Sequence, residues 1–239
     1  MNSFRETTTL IVGGTSGIGL AVARLVLAQG GIPIVAGRNQ ANVDAVTADL
    51  GGTARGAVVD LTDPASIASL PTRTGTVDHL VLSAAALTYA PFRELSIDDA
   101  HAVMESKFWG YYRTVLAFEP TLPAHGSVTM FSGVASSRPG VGTVAVTATN
   151  SAVEGLARSL AVELAPRRAN AVDPGVVDSP SWAHLSESEK RDMFDSTATS
   201  LPAGRVGTPE DVAKAVLFLI DNGYTTGEVL TVDGGARLV

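Results

Sequence analysis

A glycine cluster near the start of the chain has the spacing that phosphate binding needs. Gly13, Gly17 and Gly19 follow the apolar run 8–12 and precede an apolar, helix-like stretch. The first glycine permits a tight turn, the second lets the backbone approach a pyrophosphate, and the third allows close packing of helix on strand. Free N–H groups and the positive end of the helix dipole then face the anion. The residues predicted to bind this pyrophosphate are Gly13, Thr15, Ser16, Gly17, Ile18 and Gly19.

The end of the second apolar run indicates which dinucleotide is bound. NAD binding uses an acidic residue here, which holds the ribose 2′-OH. This run instead ends at Gly37, and Arg38 follows it. A guanidinium at this point pairs with a 2′-phosphate and stacks on adenine. The sequence therefore favours NADP(H) over NAD(H), the alternative being that Arg38 is a solvated surface side chain.

Several motifs in order resemble the short-chain dehydrogenase/reductase family. Its Thr-Gly-x3-Gly-x-Gly motif matches the glycine cluster, with Val12 in place of Thr. The segment 173–180 resembles the Pro-Gly segment beside nicotinamide, and the segment 226–235 resembles the C-terminal signature. The resemblance covers essentially the whole chain. The further cofactor contacts it implies are Asp60, Leu61, Ala84, Asn150, Pro174, Gly175, Val177 and Ser179.

The positions that carry catalysis in that family are all changed here. The family uses a Tyr as proton donor, a Lys four residues later, a Ser about thirteen residues before the Tyr, and a helical Asn. The resemblance places Asn150 at the Lys, Val146 at the Tyr and Gly133 at the Ser, with Ser132 one residue away. Lys107 falls where the Asn belongs. The usual proton relay therefore cannot operate.

Lys and Asn have exchanged places, which suggests a compensating arrangement. In the family the two positions face each other near the ribose, so Lys107 would stand close to the lost Lys, with Asn150 bonding ribose hydroxyls and Ser132 bonding the ligand. These three residues form the predicted catalytic set. The alternative is that Lys107 extends to solvent at a subunit interface. Candidate proton donors are Lys107, Tyr89 and water.

The size of each catalytic effect bears on what this site can still do. A positioned acid or base contributes roughly 10²–10⁴ in rate, and proximity contributes more. Hydride transfer to an iminium, which needs no simultaneous protonation, should therefore survive better than ketone reduction. The leading hypothesis is an NADP(H)-dependent oxidoreductase with a rearranged site, acting on a small carbonyl or imine-like substrate. The others are an inactive NADP(H)-binding sensor or partner subunit, and a non-redox lyase or isomerase.

Short β-branched runs alternate with longer amphipathic stretches. Strands are predicted at Thr8–Val12, Ile32–Ala36, Gly56–Val59, Val77–Leu82, Ser127–Phe131, Ala169–Val172 and Glu228–Val232, and helices near 97–118, 151–164 and 209–220, the last capped by Thr208. Nearly continuous apolar strands are typical of parallel sheets covered on both faces. We predict an α/β, single-domain Rossmann fold over residues 1–239, with a doubly wound parallel seven-stranded sheet and helices on both faces.

The polar segment 178–201 follows a strand end and differs from the rest of the chain. It is predicted to be a substrate lid, or alternatively an exposed helical excursion. Its Trp182 and His184 would line a substrate pocket in the first case and be exposed in the second.

Composition limits the remaining possibilities. The 239 residues include 45% apolar and 17% charged residues, a net charge of -7, four histidines without ligand spacing and no cysteine. These values suit a well-buried core and predict no metal and no nucleic-acid partner. The start of the chain lacks the apolar core of a signal peptide, and no apolar run approaches the roughly 20 residues of a membrane span. We expect no membrane partner, a cytoplasmic location and, from the family resemblance, a homotetramer or homodimer through the two long helices.

Overall fold

The computed structural model, which describes residues 4–183 and 185–239, contains one sheet of seven parallel strands. The strands are β1 Thr8–Val12, β2 Ile32–Gly37, β3 Arg55–Val58, β4 His79–Leu82, β5 Ser127–Phe131, β6 Arg168–Pro174 and β7 Val229–Val232. Their order across the sheet is β3-β2-β1-β4-β5-β6-β7. The order reverses between β1 and β4, and a doubly wound sheet binds its ligand at such a switch point. The predicted fold class is confirmed.

Helices cover both faces of the sheet. They are α1 Gly17–Ala28, α2 Gln40–Leu50, α3 Pro64–Ala68, α4 Leu70–Thr74, α5 Ile97–Met104, α6 Gly110–Phe118, α7 Val144–Glu163, α8 Glu187–Ser200 and α9 Pro209–Asp221. One core cluster packs α6 and α7 on the sheet, and the other packs α1 and α9 on the opposite face. The central strands β1, β4 and β5 are buried on both sides, which accounts for their nearly continuous apolar runs, whereas the edge strands β3 and β7 are more exposed.

The predicted helices exist, and the structure changes the start of one and adds a π-helical segment to another. The helix predicted over 151–164 begins at Val144, because burial of Ala145, Val146 and Thr149 outweighs the low helix propensity of their β-branched segment. The stretch predicted as one helix over 97–118 is interrupted by a π-helical segment at Glu105–Trp109. The cap at Thr208 is confirmed, since its hydroxyl accepts from Asp211 N–H.

Strand ends differ from the predictions by small amounts. β3 stops at Val58, so Asp60 lies in the loop beyond it, while β4 begins at His79. β6 runs on through Asp173 and Pro174. Asp173 and Pro174 pair with β7. Their place in the strand depends on this neighbour and could not be read from the sequence alone.

The described part of the segment 178–201 contains the helix α8. Its helix α8 is capped by Ser186 and has no buried residue. Lys190 Nζ lies 2.7 Å from Asp178 Oδ1, and Trp182 Nε1 donates to Val177 O at 2.8 Å. His184 lies outside the described residues. Closure of this segment over a ligand stays a prediction.

None of the helices described is both long and apolar enough to cross a bilayer. Within the same residues, no group of three or more His, Cys, Asp or Glu side chains could hold a metal ion.

Candidate functional site

A cavity of about 300 Å³ opens at the carboxyl ends of the strands, beside β1 and β4. It brings together residues that the sequence predicted separately as cofactor contacts. Those that line it are Gly13, Thr15, Ser16, Gly17, Ile18, Gly19, Arg38, Asp60, Leu61, Ala84 and Ser179. The cavity therefore lies where a doubly wound sheet places a dinucleotide.

The glycine turn needs its glycines for two different reasons. Gly13 and Gly17 have φ of +92° and +51°, which side-chain-bearing residues rarely adopt. A Cβ on Gly19 would lie 2.1 Å from Gly13 O, so any side chain there would separate helix from strand. Ser16 caps α1 without a side-chain hydrogen bond to its first turn. The N–H groups of that turn are therefore left to a ligand or to water.

The far end of the cavity carries a cation and a carboxylate. Arg38 is exposed there. Gly37, the residue before it, has little room for a side chain, because a Cβ would lie only 3.0 Å from Thr15 Cγ2. Asp60 Oδ1 accepts from Thr62 N–H at 2.8 Å and from Thr62 Oγ1 at 2.7 Å. The backbone hydrogen bond above all, then the hydroxyl and the charge of Arg38, lower the pKa of Asp60 and keep it ionised. Thr62 escaped the sequence analysis because its role depends on this turn.

Ser83 links the carboxyl ends of β1 and β4. Its hydroxyl donates to Val12 O at 3.0 Å, and a Cβ on Gly13 would lie 2.7 Å from that hydroxyl. Ser83 therefore needs no Thr at position 12. Its place directly after an apolar strand was the signal that could have identified it.

Lys107 is buried inside the molecule, next to Asn150. Its Nζ donates to Asn150 Oδ1 at 2.6 Å and to Ser132 O at 2.9 Å, and only 3% of the residue is exposed. The alternative in which Lys107 extends to solvent is wrong, because the helix turns this side chain toward α7 and β5. Burial lowers the pKa of Lys107 to about 7, and the charge of Asp173 acts in the opposite direction.

The count of hydrogen bonds at Lys107 matters for its chemistry. A neutral amine has two N–H donors and one lone pair, whereas an ammonium has three donors. The two acceptors found in the described structure satisfy both N–H donors of the neutral amine, and no donor from the described residues faces its lone pair. Protonation therefore adds one N–H that neither Ser132 nor Asn150 holds.

Asn150 and Ser132 are held by other groups around this amine. Asn150 Nδ2 donates to Gly133 O at 3.0 Å, so both ends of its amide are used. Ser132 Oγ donates to Glu154 Oε1 at 2.8 Å. A Cβ on Gly133 would lie 2.9 Å from Asn150 Nδ2, so a serine there would disturb the amide.

The buried cluster lies beside the cavity rather than on its surface. The cavity wall includes Ser106 and Phe131, the immediate neighbours of Lys107 and Ser132. Six predicted site residues lie outside this wall: Lys107, Ser132, Asn150, Pro174, Gly175 and Val177. Their roles toward a cofactor or substrate stay predictions.

The π-helical segment explains how adjacent residues face different environments. Ser106 Oγ donates to Ala86 O at 3.0 Å and accepts from Ala86 N–H at 3.2 Å, which ties the helix to the loop after β4. Lys107, the next residue, points into the protein interior. Such single-turn π segments are frequent at functional sites because they redirect side chains.

Three tyrosines lie outside the cavity wall, as Lys107 does, and the role of Tyr89 as a proton donor stays a prediction. Tyr89 is 56% exposed in the loop after β4, and partial burial raises its pKa. Tyr111 is fully buried in the core, while Tyr112 is partly exposed. None of the three lines the cavity. Val146, at the family's tyrosine position, is buried.

Two acidic residues near the amine were missed by the sequence analysis. Asp173 and Glu154 are close enough for the charge of Glu154 to raise the pKa of Asp173. An acidic residue that ends an apolar strand was the available signal for Asp173. Nothing local distinguished Glu154 from an ordinary helix surface residue.

Comparison with known proteins shows similarity along the full chain. A family model described as enoyl-(acyl carrier protein) reductase matches residues 12–237. The short-chain dehydrogenase/reductase malC of Malbranchea aurantiaca is 31% identical over 252 residues, covering 98% of this chain and 96% of the relative. The structure of MalC reductase/Diels-Alderase from that organism aligns with a TM-score of 0.93 and 28% identity, covering 100% of this chain and 99% of the other.

Two further solved structures contain NADPH. A small-chain dehydrogenase in complex with NADPH aligns with a TM-score of 0.86 and 30% identity, covering 98% of this chain and 100% of the other. An NADPH-bound short chain oxidoreductase from Pseudomonas aeruginosa PAO1, described as containing an atypical catalytic center, has a TM-score of 0.88 and 28% identity. That alignment covers 97% of this chain and 98% of the other.

Proposed function

Since the chain belongs to the short-chain dehydrogenase/reductase family, we propose that it is an NADP(H)-dependent oxidoreductase with a rearranged active site. Its substrate is a small organic molecule with a carbonyl or imine-like group. The observation that carries this proposal is the cavity at the switch point, where the glycine turn and Arg38 meet. The NADPH-bound relatives support the choice of cofactor.

Different residues of the chain hold different parts of the dinucleotide in this proposal. The first turn of α1 holds the pyrophosphate, while Arg38 pairs with the 2′-phosphate. Asp60 would contact the adenine, with Leu61 and Ala84 as further contacts to the cofactor along the cavity. The nicotinamide end is held by the segment after β6, with Pro174, Gly175, Val177 and Ser179 as its contacts.

Lys107 is the proton donor of the proposed reaction. Bound NADPH supplies the hydride, and the protein must supply a proton when the acceptor is a carbonyl. Two N–H groups of Lys107 are fixed by Asn150 and Ser132 O, so a third, present only in the ammonium, is the one to be transferred. A pKa of about 7 is well matched to this task, because an efficient acid titrates near the working pH.

The test combines cofactor binding with turnover. NADPH binding is measured by fluorescence titration, and turnover by loss of NADPH absorbance over a panel of ketones and cyclic imines. Lys107→Met should retain NADPH binding and lose roughly 10²–10⁴ in ketone reduction. Lys214→Met, on the exposed face of α9, is the matched control and should behave as the wild type.

Three outcomes would contradict parts of this proposal. Unchanged ketone reduction by Lys107→Met would remove Lys107 as the proton donor. Tight NADPH binding without turnover over the whole panel would favour a non-catalytic sensor. Failure to bind either dinucleotide at millimolar concentration would exclude both.

A further inference from the structure

Asp173 is a buried acidic residue that cofactor binding does not explain. It lies at the end of β6 and is 2% exposed. Its Oδ2 accepts from Thr231 Oγ1 at 3.3 Å, whereas its buried Oδ1 has no hydrogen-bond partner among the described residues. A buried carboxylate oxygen without a partner is costly, so its presence calls for a compensating charge or proton.

The alternation of β6 places Asp173 on the same side of the sheet as Lys107. Successive strand residues point to opposite faces. Ala171 packs in the cluster with α6 and α7, and Val172 packs in the cluster with α1 and α9. Asp173 therefore faces the α6–α7 side, where Lys107 and Glu154 also lie.

The charged groups around Asp173 come from three elements. Its pKa is raised mainly by burial. The charges of Glu154 on α7 and Asp233 after β7 raise it further. The Thr231 hydroxyl and the charge of Arg237 lower it, and the result is about 6. Lys107 lies on the π-helical segment. The charge of Asp173 acts to raise the pKa of Lys107, against the larger effect of burial, which lowers it.

The direct partners of Lys107 cannot stabilise its positive charge in full. Both Ser132 O and Asn150 Oδ1 are neutral acceptors. A buried ammonium without a counter-charge loses its proton instead of paying the full desolvation cost. We infer that Asp173 is a positioning residue for the reaction, because its carboxylate is the counter-charge that keeps Lys107 protonated.

This inference rests on the proposed role of Lys107. In the step it serves, the substrate carbon accepts the hydride of NADPH, and the substrate oxygen takes a proton from Lys107 Nζ. The N–H bond breaks and the O–H bond forms, which leaves an alcohol, NADP⁺ and a neutral amine. Solvent returns the proton to the amine after product release, and the charge of Asp173 favours that return.

The lysine content makes a direct test practical. The chain has three lysines, Lys107, Lys190 and Lys214. Protein labelled with ¹³C and ¹⁵N in lysine gives Cε–Nζ signals whose shifts follow protonation, and Lys107→Met assigns the buried one. We expect the Lys107 signal of the wild type to titrate near neutral pH, with a midpoint that moves to lower pH in Asp173→Asn.

The controls separate a specific charge effect from a general disturbance. Asp233→Asn removes a carboxylate close to Asp173, and should leave the Lys107 midpoint unchanged. Asp173→Ser removes the same charge with a smaller side chain, and serves if Asp173→Asn does not fold. In both Asp173 variants the rate of ketone reduction should begin to fall with rising pH at a lower pH than in the wild type. Their affinity for NADPH should be retained.

The outcomes distinguish this inference from the proposed function. A midpoint that moves no further in either Asp173 variant than in Asp233→Asn would overturn the inference, even in an active enzyme. A shifted midpoint in a protein that turns over no substrate would support the charge coupling and overturn the proposed function alone.

Discussion

The exchange of Lys and Asn that the family resemblance implies would move a cation from α7 to the π-helical segment. Lys107 and Asn150 are 43 residues apart and their side chains meet at 2.6 Å. Burial removes the ammonium group of Lys107 from water and lowers its pKa to about 7, although the charge of Asp173 acts in the opposite direction. A residue that is ordinarily a permanent cation becomes one that can give and take a proton.

The pH dependence of catalysis should follow this amine. The ammonium is the donor, so kcat/KM for ketone reduction should fall above about pH 7, where Lys107 loses its proton. The decline should approach about tenfold per pH unit, since the protonated fraction falls at that rate. Steady-state rates between pH 6 and 9 measure it.

A cyclic iminium substrate provides the control within the same enzyme. It accepts hydride without a simultaneous proton, so its rate should not show this decline. Parallel profiles for the two substrates would contradict the assignment of Lys107.

Arg38 should determine the preference between the two dinucleotides. Arg38→Ala removes a charge-assisted contact to the 2′-phosphate, which contributes roughly 1.5–3 kcal/mol. NADPH should bind about 10- to 100-fold more weakly, with NADH little changed. Isothermal titration of both dinucleotides measures this, and Arg93→Ala, exposed elsewhere, is the control. Equal losses for both would show that Arg38 does not read the phosphate.

At the scale of elements, three strand ends and one helix start make the site. β1 with the start of α1 holds the glycine turn, β2 ends at Gly37 just before Arg38, and β6 places Asp173 on the α7 side. The π-helical segment then places Ser106 on the cavity wall and Lys107 behind it. Both residues are buried, and only Ser106 reaches the cavity wall.

The segment 178–201 should become ordered by cofactor. Its helix α8 has no buried residue, whereas α9 buries Val212, Ala213 and Val216. Amides of α8 should therefore exchange hydrogen faster than those of α9, and should slow when NADPH is added. Exchange mass spectrometry with and without NADPH measures this, with α9 as the internal control. Unchanged exchange in α8 would leave it an exposed excursion and not a lid.

At the scale of the whole molecule, some of the exposed apolar side chains lie on the helices predicted to join subunits. Trp109, Tyr112 and Leu116 are exposed along the π-helical segment and α6, and Val162 is exposed on α7. Apolar groups grouped on helix faces in this way are typical of subunit interfaces.

Disruption of that surface should reduce the mass of the assembly. Leu116→Glu places a charge in the proposed interface and should convert a dimer or tetramer to a 24.5 kDa monomer. Light scattering after size exclusion measures the mass. Tyr224→Glu, at a fully exposed site outside these helices, is the control and should not change it. A wild type that is already monomeric would contradict the predicted oligomer.

The sequence by itself determined the parts of this protein that depend on local backbone and on burial pattern. Gly13 and Gly17 have positive φ, a conformation that favours glycine, so their spacing predicted the turn directly. Continuous apolar runs predicted the parallel sheet because strands covered on both faces have no polar side. The family resemblance added the exchange of Lys107 and Asn150.

Only the tertiary structure decided the state of the buried cluster. The protonation of Lys107 depends on burial and on Asp173, which is far away in sequence and reaches the amine only through the alternation of β6. The π-helical segment also has no local signature, yet it turns Lys107 inward. Electrostatic free energy depends on distances through space, and sequence order does not fix those distances until the sheet and helices have packed.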